Sequence, residues 1–165
     1  MIAPFTSMKH LATTIFLVFA LVPVVRGQQA ADDARTSIAR VAEQMPIYRG
    51  GDCPPDANYP SRKACADRNL LEAIYSELQY PTQAVQLTGP AKMAVVNFVV
   101  EEDGSVSNVE VYRDPGYGMG QEAQRIVQQL ADQGGFEAAR SGGEPVRVLM
   151  QLPIKFTKPE GSTAQ

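Results

Sequence analysis

The stretch KMAVVNFVVEEDGSVSNVEVYR, residues 92–113, decides the fold. Its first part is almost wholly apolar, and one set of alternating side chains comprises Ala94, Val96, Phe98 and Val100. Such a run predicts a strand that is at least partly buried on both faces. Asp103-Gly104 then supplies a hairpin turn signal, and residues 106–113 form the return strand. The stretch therefore predicts an antiparallel strand pair.

Downstream of this pair, the pattern predicts one helix and one further strand. The helix spans 122–133, and its apolar stripe comprises Ala123, Ile126, Val127, Leu130 and Ala131. Gly134-Gly135 is a typical helix end. The last strand spans 146–156, and one of its faces comprises Val146, Val148, Met150, Leu152, Ile154 and Phe156.

Upstream of the pair, apolar residues recur at helical spacing from Leu70 to Leu78, after Asp67 as a cap. Tyr80-Pro81 ends this helix, and Pro81 begins a second, short helix that Gly89-Pro90 stops. The order helix, helix, strand, strand, helix, strand predicts a small α+β domain. Its helices are expected to form one layer on an antiparallel sheet.

Residues 1–27 have the features of an export signal. They contain no acidic residue, and Lys9 precedes an apolar run from 11 to 25 that is short of the roughly 20 residues of a membrane span. Cleavage after Gly27 would leave 28–44 as a polar lead, either a short helix or a flexible segment. We therefore expect a periplasmic protein. The alternative is a short inner-membrane anchor that faces the periplasm.

The composition excludes several classes of function. A net charge of −3 provides no basic field for nucleic acid. The one histidine, His10, lies in the predicted signal, so histidine-dependent triads and histidine-ligated zinc sites fall away in the processed chain. We expect no catalytic residue, no metal and no cofactor.

Two further patterns resemble sites only weakly. Gly116, Gly118 and Gly120 precede a helix, where phosphate binds in some folds, but their spacing does not match a dinucleotide fingerprint. The acidic run 101–103 lacks the regular spacing of a calcium loop. We interpret the first as a glycine loop and the second as a solvated turn.

Cys53 and Cys65 enclose a segment with three prolines and two basic residues, which predicts a surface loop. In an oxidising compartment, the two cysteines allow one intramolecular disulfide. A structural bond is the favoured interpretation, and a redox pair is the alternative.

Pro153 has no amide hydrogen for a sheet ladder, so the last strand is predicted to lie at an edge. Arg147, Pro153 and Lys155 then have two interpretations. They blunt the edge against aggregation, or the edge binds an extended peptide by strand addition.

An ordered set of motifs over about 45–157 resembles the C-terminal domain of TonB. It comprises Tyr80-Pro81-x-x-Ala84, Gly89, Val96-x-Phe98-Val99-Val100, Asp103-Gly104-Ser105-Val106, Val109-x-Val111, the helix over 122–130, Gly143-x-Pro145-Val146 and Leu152-Pro153-Ile154-x-Phe156. Upstream, Met45-Pro46 and Gly50-Gly51 resemble the longer version in TonB-like proteins of Bacteroidetes-type bacteria, some of which carry two cysteines here. Tyr80, Pro81 and Gly104 are the residues that we take as the signature of this family motif.

The resemblance implies a three-stranded antiparallel sheet with helices on one face. It also implies a non-enzymatic protein-binding module that engages TonB-dependent outer-membrane transporters, or another envelope protein, by edge-strand addition. The residues of that edge are Arg147, Leu149, Gln151, Pro153 and Lys155.

A full energy transducer, coupled to an inner-membrane proton motor for siderophore or nutrient import, is the alternative function. Such a protein carries a long Pro-rich spacer, whereas residues 28–44 extend over at most roughly 60 Å. A self-pairing adaptor or homodimer that uses the same edge is a further alternative. The domain is expected over 45–157, with a polar tail over 158–165.

Overall fold

The computed structural model describes residues 37–158. They belong to one compact unit, which spans Arg35–Gln165. The predicted signal or anchor with His10, the first part of the lead (28–36) and the tail from 159 onward lie outside the described residues. Among the residues it describes, no helix is both long and apolar enough to cross a membrane.

The described chain is an α+β domain. In chain order, its elements are β1 (Ile47–Tyr48), α1 (Tyr59–Glu77), a 3-10 helix (Thr82–Ala84), β2 (Lys92–Val100), β3 (Val106–Arg113), α2 (Met119–Asp132), β4 (Phe136–Glu137), β5 (Ala139–Ser141), β6 (Glu144–Val146) and β7 (Val148–Phe156). A three-stranded antiparallel sheet has the order β3-β2-β7. The predicted fold class and the three-stranded sheet are thus confirmed.

The central strand β2 supplies the core with one set of alternating side chains, as the sequence predicts. Phe98 and Val96 are buried, and they belong to the same apolar cluster as Ile126 of α2 and Ile74 of α1. Helix α2 packs on β2 and β3, and α1 packs on β1 and α2. The helices therefore cover one face of the sheet, and β7 is one of its two edge strands.

Helix α1 begins earlier than the sequence predicts. Asn58 caps it, because its side-chain oxygen accepts the N–H of Ser61 at 3.0 Å. Pro60 lies in the first turn, where a missing N–H costs nothing. Residues 59–64 are therefore helical and do not form a loop. Asp67 does not cap the helix. It lies inside α1, eight residues after Tyr59, and forms an ion pair with Lys63.

Two other local predictions are wrong in detail, and over residues 37–44 the helical alternative for the lead is excluded. The second helix after Pro81 is reduced to one 3-10 turn. Residues 136–146 form short strands, with β4 paired to β1 and β5 paired to β6, so Val146 belongs to a hairpin and not to the last strand. The described part of the lead, 37–44, contains no helix and pairs by single bridges at Ala39 and Gln44.

The cysteine pair is a disulfide. Cys53 and Cys65 are bonded, with their Cα atoms 5.9 Å apart. Because Cys65 lies on α1, the bond ties the segment after β1 to the first half of that helix. Nearby, the side chain of Asn69 donates to the Sγ atom of Cys53 at 3.3 Å. This arrangement supports a structural role.

Candidate protein-binding edge

The two outer strands of the sheet differ in regularity. Strand β7 pairs with β2 through nine consecutive residue pairs, without a shift in register. Strand β3 has two irregularities against β2, and Asn108 at the first has a φ of 51°. Because bulges twist an edge and interrupt its hydrogen-bond pattern, β7 presents the straighter of the two edges.

Backbone direction alternates along β7 and identifies the residues that face outward. The N–H of Leu149 donates to the carbonyl oxygen of Ala39 at 2.9 Å, outside the sheet. The N–H of Lys155 donates to the hydroxyl oxygen of Tyr75 at 3.3 Å, also outside the sheet. Because successive backbone groups point to opposite sides of a strand, Gln151 and Pro153 also point outward. These are the odd-numbered positions that the sequence nominated as the edge.

This direction explains why Pro153 is tolerated. Pro153 lies opposite Val95 in the sheet, but its nitrogen faces the outer side. The ladder between β2 and β7 therefore loses no hydrogen bond to the proline. The missing N–H instead affects the outer edge, which has no hydrogen-bond donor at residue 153.

Gln151 is the residue of this edge whose backbone groups are available to a partner. Its side chain is exposed, and no hydrogen bond to its outward N–H or C=O occurs within residues 37–158. The carbonyl oxygens of Leu149 and Pro153 flank it on the same side. Alternating donors and acceptors that face solvent are the groups with which an extended peptide pairs.

The side chains of the edge are mostly solvent-facing. Gln151, Pro153 and Lys155 are exposed, and Leu149 is half-buried. They lie on the face away from the core, whereas Ile154 and Phe156, on the other face, are buried and belong to the core cluster that includes residues of both helices. A peptide at this edge would meet the exposed side chains of Gln151 and Lys155 on one face of the sheet and the partly buried side chains of Met150 and Leu152 on the other.

Arg147 differs from the other nominated residues. It precedes β7, and its guanidinium binds the carboxylate of Glu101 at the end of β2, with N–O distances of 2.5 and 3.1 Å. Glu101 also accepts the hydroxyl of Ser107. The bonds from Arg147 hold the pKa of the Glu101 carboxyl below its usual range, and the same pair raises the pKa of Arg147. Arg147 therefore closes the end of the strand, and Glu101 is more than a solvated turn residue.

The family-motif residues have structural positions away from the edge. Tyr80 packs against the core, and its hydroxyl donates to the carbonyl of Ala84 at 3.4 Å. Pro81 precedes the 3-10 turn, close to Gly118. Gly104 is buried in the turn between β2 and β3, with a φ of +85°.

The glycine loop before α2 also has a structural explanation. The Asp114 carboxylate accepts the N–H groups of Gly116 and Gly120, at 2.8 and 3.0 Å. A negative charge thus occupies the position that a phosphate would need. Within residues 37–158, no group of histidine, cysteine, aspartate and glutamate side chains is suited to a metal ion.

Sequence reasoning missed two residues at the edge, Ala39 and Tyr75. Tyr75 lies within the apolar helical pattern from Leu70 to Leu78, yet it is 47% exposed and its hydroxyl accepts the N–H of Lys155 in β7. Its half-polar side chain was the available signal. Ala39 pairs through backbone atoms alone, so no side-chain pattern could have identified it.

Comparisons with known proteins bear on residues 76–157. These match the family model described as "Gram-negative bacterial TonB protein C-terminal". Among solved structures, the chain is similar to the NMR solution structure of Helicobacter pylori TonB-CTD (residues 179–285), with 19% sequence identity over 64% of this chain and 89% of that one, and a TM-score of 0.40. No curated protein matches the chain.

Proposed function

Because residues 76–157 belong to the TonB C-terminal family, we propose that this domain binds an extended segment of a cell-envelope protein along the outer edge of β7. Domains of this family are non-catalytic protein-interaction modules of TonB systems, and they imply an envelope location. The partner that we propose is a TonB-dependent outer-membrane transporter.

One observation carries the proposal: within residues 37–158, the outward N–H and C=O of Gln151 have no hydrogen-bond partner, on a strand whose pairing with β2 is fully regular. A strand added here would gain backbone hydrogen bonds without any change in the pairing of β7 with β2. Each such bond contributes about 1 kcal/mol. Because these bonds involve backbone atoms alone, they select an extended conformation, and the flanking side chains must supply the choice of partner.

Photo-crosslinking in the native envelope tests this proposal. A photoreactive amino acid replaces Gln151, and in the matched control it replaces Tyr112, which is 67% exposed on the opposite strand β3. We expect a crosslink to an outer-membrane transporter from position 151 and a much weaker one from position 112. Equal yields from both positions would contradict the proposal. A crosslink from 151 to a second copy of the chain would assign the edge to a homodimer.

The proposal includes export to the periplasm by a cleaved signal over residues 1–27. N-terminal sequencing of the protein from its native envelope checks this part. A start at Gln28 supports an exported module. Retention of residues 11–25 would support the anchored energy transducer in its place.

A further inference from the structure

The lead segment, defined here as residues 37–44, touches the outer edge of β7 at one point. The N–H of Ala39 donates to the carbonyl oxygen of Arg147, and the N–H of Leu149 donates to the carbonyl oxygen of Ala39, both at 2.9 Å. This is the pattern of a parallel strand pair, limited to one residue. The domain therefore already carries a short strand on the edge that we assign to a partner.

The outer edge is poor in hydrogen-bond donors. Of the outward positions from 149 to 155, the N–H of Leu149 donates to Ala39, residue 153 is proline, and the N–H of Lys155 donates to Tyr75. Within residues 37–158, Gln151 alone is left with an unpaired N–H on this side. Release of Ala39 would free the N–H of Leu149 and double the donors that a partner strand can use.

We propose that the lead segment is a built-in competitor for the β7 edge, and that full engagement of a partner strand displaces Ala39. This inference rests on the proposed function, because it assumes that the partner pairs with β7. It adds that the affinity of the edge is set by an intramolecular strand.

The contacts of the lead segment suit a strand that releases readily. The apolar side chains near Ala39 add little to its hold, because Ile38 is 42% exposed and Val41, two residues further on, is 81% exposed. Within residues 37–158, no regular pairing with β7 continues beyond Ala39.

The segment is nevertheless held close to the edge. Gln44 and Arg140 exchange two backbone hydrogen bonds, at 3.0 and 2.8 Å, and the Glu43 carboxylate accepts the N–H of Gly142 at 3.0 Å. Four residues separate Ala39 from Gln44. A short tether of this kind gives an effective concentration in the millimolar range, so even a weak contact competes with a partner in solution.

Proline substitution separates the competing strand from the rest of the domain. Ala39→Pro removes the N–H that binds Arg147, whereas the control Ala42→Pro removes an N–H that has no partner within residues 37–158. The probe is a detergent extract of native outer membranes, titrated against the immobilised domain. We expect Ala39→Pro to lower the half-saturating amount of extract about tenfold, the effect of one to two lost backbone bonds. Ala42→Pro should leave it unchanged.

Gln151→Pro distinguishes the two proposals. If Gln151→Pro abolishes capture while Ala39→Pro binds with the affinity of the unaltered chain, competition by the lead segment is overturned and the proposed function stands. If it leaves capture unchanged, the proposed function fails and the competition fails with it. Amide hydrogen exchange gives a readout without a partner. Slow exchange at Leu149 that becomes as fast as at Gln151 in Ala39→Pro supports the contact, and equally fast exchange at both amides of the unaltered chain overturns it.

Discussion

The carbonyl oxygen of Gly104 accepts the N–H of Phe136 at 3.0 Å, and a Cβ atom on Gly104 would lie only 1.9 Å from the carbonyl oxygen of Phe136. The turn between β2 and β3 thus packs backbone against backbone on β4. Phe136 in turn stacks its ring 5.6 Å from that of Phe98 in the central strand. Through Phe136, the turn at Gly104 is thus connected to β4 and to the core. This packing explains why glycine is needed at position 104, although the residue lies far from the β7 edge.

Gly104→Ala is therefore expected to be strongly destabilising. The new Cβ clashes with backbone that cannot move away, and alanine at a φ of +85° is strained as well. We expect a loss of roughly 3 kcal/mol or more in the free energy of unfolding, measured by urea denaturation. Gly116→Ala is the matched control, because its φ is +84° but nothing lies within 4 Å of its Cβ. Equal losses in the two variants would refute the clash.

The disulfide is expected to stabilise the domain through its unfolded state. Its sequence separation is 12 residues, for which loop closure predicts about 3 kcal/mol. Replacement of both Cys53 and Cys65 by serine should lower the free energy of unfolding by about this amount, and reduction of the unaltered protein should reproduce the loss. A protein that keeps its full stability after reduction would show that the bond is dispensable.

The ion pair of Glu101 with Arg147 predicts a dependence of stability on pH. The pKa of Glu101 is lowered in the folded protein, chiefly by its hydrogen bond to Arg147. Its contribution is therefore complete above the unfolded pKa, about 4.3, and is lost as the pH falls through the lower folded pKa. Urea denaturation at pH 7 and pH 3 should show the unaltered chain and Glu101→Gln converging at the lower pH. A constant difference between them across this range would exclude the effect.

Asn97 is a buried polar residue in the centre of β2. It is 6% exposed, and its Oδ1 atom has no hydrogen-bond partner among residues 37–158. A buried acceptor without a partner costs free energy, and valine fits a strand well. Asn97→Val is therefore expected to raise the free energy of unfolding by about 1 kcal/mol in thermal or urea denaturation. A destabilised Asn97→Val would indicate that the amide makes contacts essential to the sheet.

The parts of the fold that follow side-chain alternation were predictable from the sequence. The apolar pattern around Phe98 predicts β2, and the pattern that ends at Phe156 predicts β7. The start of α1 could not be predicted in this way. Proline favours loops but is also common in the first turn of a helix, where Pro60 lies. Strands β4 to β6 were not predicted, because two or three residues are too few to show an alternation of apolar and polar side chains. The pairing of β4 with β1 also joins residues that are far apart in the sequence.

The site divides in the same way. Pro153 predicts an edge from a simple property, the absence of an N–H. The partners that already occupy this edge, Ala39 and Tyr75, depend on tertiary placement of one backbone group and one hydroxyl, so no spacing in the sequence reports them. Arg147 was nominated for its position, and only the fold brings Glu101 beside it.

Gln151→Pro is the substitution that separates strand addition at β7 from every other mode of partner binding. Proline at 151 removes the outward N–H that has no partner within residues 37–158, but it leaves the bonds between β2 and β7 in place, as Pro153 does naturally. Gln151→Ala is the control, because it removes the side chain and keeps the N–H. Capture of outer-membrane transporters from native extract, with circular dichroism to verify folding, is the measurement. We expect loss of capture in Gln151→Pro and near-normal capture in Gln151→Ala; normal capture by a folded Gln151→Pro would rule out pairing of the partner with the outer edge of β7.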